Sequence, residues 1–217
     1  MTKIAYIVQG KFPPNEMEKR QKFLSSLVDK GNDIKLIPGE LKLSAIQSSF
    51  ESALSVPALI KVAMKAEKEG YNAIIIGCTG DPGLEAIREA VSIPVVGPGI
   101  STNMLAGLVG RKHVNIGPWD AGMTTLEARE DRKKLVSGLV KAGRKAIDEN
   151  GADVIALSCM STGFQNVDVE IHEQLGVPVI NNVKAAVKMA ELMADLNIPH
   201  SKKSFKTPIH SPLWPEF

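Results

Sequence analysis

Long apolar runs are missing from this 217-residue chain. No stretch approaches the ~18 consecutive apolar residues that a membrane-crossing helix needs. The opening "MTKIAYIVQG" holds an apolar run shorter than the ~7–15 residues of a secretory core, so a cytoplasmic protein is expected. Charge of one sign is missing too. Lys+Arg of 26 against Asp+Glu of 24 leaves a formal +2, which supplies no basic field for nucleic acid or an anionic membrane. Metal-ligand spacing is absent: His113, His172, His200 and His210 are scattered, and there is no C-x-x-C or H-E-x-x-H. The glycines at 77, 80 and 83 fit neither G-x-G-x-x-G nor a Walker loop. Neither a metal nor a bound nucleotide is therefore expected. Cysteine is scarce as well. Two cysteines in a reducing compartment are expected as thiols rather than a disulfide.

What the chain does contain is short apolar strands alternating with helical stretches. "KIAYIV" (3–8), "DIKLIP" (33–38), "NAIIIG", "IPVVG" (93–97), "KHVNIG", "DVIALS" and "VPVIN" read as strands. Between them, "PNEMEKRQKFLSSLVDKG" has Pro14 near its start and Gly31 as a stop, and "SVPALIKVAMKAEKEG" spaces its apolar residues helically with Ser55 as cap. Asp81 and Pro82 read as N-cap and first residue of the helix "DPGLEAIREAV". This alternation predicts the α/β class, with parallel sheets flanked by helices. "EKRQK", "EAREDRKK" and "HSKKSFK" read as solvated faces or tail, and His172 as a packing or surface histidine.

The two cysteines head a repeat. "EGYNAIIIGC" (69–78) and "NGADVIALSC" (150–159) each carry a glycine eight residues before the cysteine, and each half continues through a helix to a "PV" strand. Two pseudo-symmetric lobes are expected, residues 1–99 with Cys78 and 100–217 with Cys159; the proline-rich tail 197–217 forms a strap or returns to the first lobe. The second lobe is shorter, and "GPWDAGMTTLEARED" is not a clear helix–strand unit, so one strand or helix is expected to be missing there.

Ligands of open α/β sheets bind outside the carboxyl ends of strands, where both cysteines fall. A cleft between facing lobes would bring the thiols to opposite sides of one carbon. A thiolate on one face removes a proton and a thiol on the other returns one, which inverts the carbon. Backbone N–H groups of "TGD" (79–81) and "MSTG" (160–163), with the hydroxyls of Thr79, Ser161 and Thr162, would activate the thiols and bind a carboxylate or enolate.

These segments resemble the aspartate/glutamate/hydantoin racemase superfamily. "GCTGDPGLEAIREAVSIPVVG" (77–97) is especially similar to the hydantoin racemase branch, and "ADVIALSCMSTGF" follows the superfamily's strand-then-cysteine pattern. The resemblance implies a cofactor-independent homo-oligomeric isomerase with two lobes, the active site in their cleft, Cys78 and Cys159 as its two bases, and Thr79, Gly80, Ser161 and Thr162 lining the pocket. Gln9 and Gly10 stand where this branch commonly has an Asn-Pro-Asn type turn, and are the candidates for substrate binding at the first strand's end. No histidine follows Cys159, which disfavours glutamate as substrate. A maleate isomerase or an arylmalonate decarboxylase-like enzyme is the alternative, and a non-catalytic small-molecule sensor is the alternative outside enzymes.

Overall fold

The computed structural model describes residues 1–43 and 45–208. The chain divides into two compact units, Met1–Gly97 together with Val187 onward, and Pro98–Ala186. The first division falls two residues before the boundary expected from sequence. Residues 209–217 of the expected strap, with His210, lie outside the described residues.

In the first unit β1 (Lys3–Gly10), α1 (Pro14–Ser25), β2 (Asp33–Leu41), α2 (Ser49–Lys68), β3 (Ala73–Ile76), α3 (Leu84–Ala90) and β4 (Val95–Val96) follow in order. The sheet is all-parallel, ordered β2-β1-β3-β4. β1 and β3 are apolar because both faces are covered; Ile4, Ile7, Ile74, Ile75 and Ile76 are fully buried. The edge of β2 is blunted by α1. The Gln21 side chain donates to Ile34 O at 2.7 Å and accepts from Leu36 N–H at 2.8 Å, as a further strand would, and the Pro38 two residues on has no N–H to offer.

α2 begins earlier than the sequence suggested. Ser48, not Ser55, is its cap: the Ser48 hydroxyl accepts from Glu51 N–H at 3.1 Å while the Glu51 carboxylate takes Gln47 N–H at 2.6 Å. Pro57 therefore sits inside the helix rather than at its first turn. The packing of Leu59, Ala63 and Ala66 into the sheet outweighs the hydrogen bond that Pro57 removes.

The second half of α9 (Asn182–Asp195) belongs to the first unit through buried Glu191, which accepts from Asp29 N–H at 2.8 Å and Asn32 Nδ2 at 2.9 Å. The chain after it crosses β4 and the end of α3. His200 Nε2 lies 2.8 Å from Val95 N, and the Lys202 ammonium donates to the carbonyls of Arg88 (2.7 Å), Glu89 (3.1 Å) and Val91 (2.6 Å), closing the C-terminus of α3. Phe205 packs edge-on against His200 and beneath the Arg88 guanidinium.

In the second unit α4 (Pro98–Val109), β5 (His113–Ile116), α5 (Glu127–Glu130), α6 (Arg132–Asn150), β6 (Val154–Leu157), α7 (Met160–Phe164), α8 (Asp168–Leu175) and β7 (Val179–Ile180) lead into α9. Among the described residues its parallel sheet is ordered β5-β6-β7, one strand fewer than the first. The segment 118–131, where the first unit builds α1 and β2, forms only turns and the single turn α5. α6 buries Leu135, Val136, Leu139 and Ala146, capped by Asp131 (2.9 Å from Lys134 N–H) and stopped by left-handed Gly151.

The charge runs are not simple solvated faces. Arg20 of "EKRQK" is 2% exposed, bonded to Glu16 at 2.6 Å and stacked on Phe12. Arg129 of "EAREDRKK" and Lys202 of "HSKKSFK" each hold a specific partner. Other charged members, such as Lys19, Lys22, Lys133 and Lys203, are exposed, so each run is hydrophilic in composition although particular members turn inward. His172 is at the surface at the end of α8, 2.8 Å from Val177 O.

Candidate active site

The cysteines leave matching strands. Adding 81 to a residue number around Cys78 gives its counterpart around Cys159, and the donors of the matching hydrogen bonds obey the same rule, with acceptors on the corresponding neighbouring segments. Asn72 N–H donates to Lys3 O (2.7 Å) as Asp153 N–H does to Lys112 O (2.9 Å), and Gly77 N–H to Ile7 O (2.7 Å) as Ser158 N–H does to Ile116 O (2.7 Å). Ile74 N–H reaches Pro94 O at 2.8 Å, and Ile155 N–H reaches Pro178 O at 2.9 Å. The glycines eight residues upstream, Gly70 and Gly151, both have positive φ and end the preceding helix. Each cysteine thus stands two residues beyond its central strand, half-buried and outside any disulfide.

The turn at Cys78 is a loop. Cys78 N–H donates to Ile76 O at 2.8 Å, and the Cys78 carbonyl accepts Asp81 N–H at 3.0 Å. That Asp81 N–H therefore turns back onto the loop itself, away from the role in anion binding expected for it. The sulfur leans over Gly80: a Cβ built there would lie 3.7 Å from Cys78 Sγ. Asp81 is not the N-cap. It adopts φ 48°, α3 starts only after left-handed Gly83 (φ 67°), and no side chain caps it. Two positive φ values around Pro82 prevent a helix from starting there. The Asp81 carboxylate instead packs on bare Gly97, where a Cβ would approach Oδ2 to 2.6 Å. Arg88 on α3 has its guanidinium pKa lowered by burial, against the opposing charges of Asp81 and Glu85.

The turn at Cys159 is an elbow. Cys159 has φ 65° and ψ 120°, and α7 starts at the next residue. Its carbonyl receives Thr162 N–H at 3.0 Å and Gly163 N–H at 3.5 Å, so these two N–H groups are also spent within the turn. Its sulfur lies 3.8 Å from the Thr125 hydroxyl. Arg129 Nε donates to Ser161 Oγ at 3.0 Å, and Gln165 Nε2 donates to Ala128 O (3.1 Å) and Arg129 O (2.9 Å), fastening the 125–129 segment to α7. Thr124 and Glu127 form a reciprocal cap on α5, at 3.2 and 2.7 Å, whose hydrogen bonds hold the Glu127 carboxyl below its usual range. Asn181 ties Gly163 O (3.0 Å) to Asp168 (2.8 Å), and Asp168 pairs with Lys184 at 2.7 Å.

The sequence-predicted residues fall into two groups. Cys78, half-buried Thr79 and exposed Gly80 share one turn, with Gln9 and Gly10 at the carboxyl end of the neighbouring β1. Gln9 is 4% exposed, and Gly10 is pressed against the carbonyls of Leu41 and Leu43, so both are strand residues rather than an open turn. Cys159, Ser161 and Thr162 share the other turn; Ser161 and Thr162 are buried, and Thr162 Oγ1 has no hydrogen-bond partner. Thr125, Arg129, Asn181 and Asn182 were missed. The T-x-x-E at 124–127 was a readable cap signal, but nothing local shows that it faces Cys159. Among the described residues no cluster of three or more His, Cys, Asp or Glu is placed to hold a metal, and no helix is long and apolar enough to cross a membrane.

The profile of the Asp/Glu/hydantoin racemase family matches residues 40–117. A hydantoin racemase of Pseudomonas sp. (strain NS671) is 32% identical over 192 residues, covering 76% of each chain. Among solved structures, an allantoin racemase from Pseudomonas fluorescens superposes with a TM-score of 0.84 at 23% identity, over 95% of this chain and 97% of that one. An arylmalonate decarboxylase variant follows with 0.62 at 20% identity, over 89% and 93%. Matching cysteine turns at the ends of two repeated strands, together with this level of identity, place the chain in the Asp/Glu/hydantoin racemase family. It is an isomerase of the racemase class.

Proposed function

We propose that this enzyme inverts a carbon alpha to a carbonyl, in an amino acid or a hydantoin-type derivative, using Cys78 and Cys159 as an acid/base pair without a cofactor. The observation that carries the reading is the bond-for-bond repeat that sets each thiol at the same place, two residues beyond its central strand. A symmetric pair of thiols suits a reaction whose two directions are mirror images. One thiolate takes the proton, an enolate forms next to the carbonyl, and the other thiol returns a proton to the opposite face. Hydantoin and allantoin, named for the relatives, both carry such a carbon beside a carbonyl. A cytoplasmic homo-oligomer is part of the same proposal, and sedimentation of the purified protein tests its second half.

The test is incubation of enantiopure hydantoins and amino acids in deuterated water. Optical rotation is lost with one deuterium entering at the stereocentre, while Cys78→Ser and Cys159→Ser each stop racemisation and exchange opposite enantiomers. Two folded single variants that racemise at the wild-type rate would refute the two-thiol mechanism. A second reading, one-thiol protonation as in an arylmalonate decarboxylase, is favoured by the unlike backbones of the two turns. Carbon dioxide release dependent on Cys159 alone would select it. Ligand binding without turnover would select a sensor.

A further inference from the structure

We infer that Asn182 is a positioning residue, an amide clamp that holds Cys159 in the backbone conformation that presents its thiol. The inference rests on Cys159 being one of the reacting thiols, and its test does not.

Among the described residues the non-glycine positions with positive φ are Asp81, Cys159, Asn166 and Asn197. Asp and Asn tolerate that region because their short polar side chains bond locally; cysteine has no such excuse. With ψ 120°, Cys159 also lies outside the left-handed well, whose ψ is roughly 30–60°. Such a conformation persists only where its surroundings enforce it.

Asn182 does the enforcing. Its side chain is fully buried, and Nδ2 donates one hydrogen to Leu157 O at 2.8 Å and the other to Cys159 O at 3.0 Å. Those carbonyls belong to the last residue of β6 and to the elbow itself, so one rigid amide spans the strand end and the turn. A carboxylate cannot donate, and a hydroxyl donates once. The seat is built tightly: any side chain at Gly163 would run into Asn182 Oδ1. That oxygen is buried without a partner, a cost that a residue chosen for stability alone would not carry. In the Cys78 half of the repeat the same position, directly after "PVVG", is Pro98, which has no such donor, and Cys78 is not among the positive-φ residues.

The experiment is a thermal-unfolding cycle joined to thiol labelling. Cys159→Gly raises Tm by about 2–5 °C, because glycine takes positive φ without strain. In an Asn182→Ala background the elbow has already relaxed, and the same change gains less than about 1 °C. Asn182→Ser, with one donor left, falls between and serves if the alanine variant does not fold. Iodoacetamide labelling of Cys159, read in a Cys78→Ser background, changes roughly tenfold on removing the amide. Labelling of Cys78 in the Cys159→Ser protein stays within about twofold. Equal Tm gains with and without Asn182, or unchanged Cys159 labelling, would overturn the clamp. Absence of any racemase activity would sink the functional reading and leave both readouts intact.

Discussion

The two cysteine-bearing turns solve one packing problem from opposite sides. Where the first unit sets Val8 on β1 against Gly77 after β3, the second sets Gly117 after β5 against Ser158 after β6. A Cβ at Gly77 would sit 2.5 Å from Val8 Cγ1, and one at Gly117 would overlap Ser158 Oγ. Each crossing has space for one side chain, and which strand supplies it is interchangeable. The turns beyond the strands are not interchangeable. The first unit continues into a loop braced by Asp81 on Gly97, the second into an elbow braced by side chains from α9 and the 125–129 segment. A repeat preserved in its backbone bonds has thus diverged in how it holds each sulfur.

The largest expected effect breaks this comparison at glycine. Gly163→Ala introduces a Cβ among Asn182 Oδ1, Asn181 Oδ1 and Val183, in a fully buried site. It costs about 3 kcal/mol or more in urea unfolding, since no neighbour can withdraw. Gly80→Ala in the other turn meets only ordinary contact with Cys78 Sγ and changes stability by less than ~0.5 kcal/mol, while slowing Cys78 labelling. Equal losses from both would mean the turns are built alike.

A smaller effect sharpens the swap. Gly77→Ser alone collides with Val8, Ile7 O and Tyr6 and costs about 2 kcal/mol. Val8→Gly, which copies the second unit's arrangement but by itself empties a buried site, costs about 1 kcal/mol less in the Gly77→Ser background than alone, because it relieves one of the three collisions. Equal costs in the two backgrounds show that the two crossings are not equivalent.

The smallest effect tests the strap over β4, a brace described only for the first unit. Burial holds the His200 imidazole below its usual pKa, and the Arg88 charge pushes the same way. A histidine with a depressed folded pKa contributes its stability above the unfolded value of ~6.5 and loses it as pH falls toward the folded value. His200→Gln therefore narrows its stability gap to wild type below about pH 6.5, followed by Tm across a pH series. A gap that widens on acidification contradicts the neutral, bonded imidazole.

Sequence alone determined the alternation of strands and helices, the repeat and the shorter second half, because hydrophobic period, stop glycines and a shared cysteine offset are local signals. Cys78 and Cys159 were legible for the same reason. Asp81 as a cap was misread because Asp-Pro is the usual opening of a helix, whereas in the fold residues 81 and 83 both take positive φ, with Asp81 close against Gly97 and Gly83 close against Val56. The 20-residue α2 was read one cap too late because Pro57 looks like a start until the sheet beneath shows what outweighs it. Asn182 stands 23 residues from Cys159, and Thr125 stands 34 away. Their contacts exist only once β6, β7 and the 125–129 segment are brought together, and no period or spacing in the chain encodes which amide hydrogen will face which carbonyl. The positions of the thiols are a property of the repeat; the restraint on each thiol is a property of the fold.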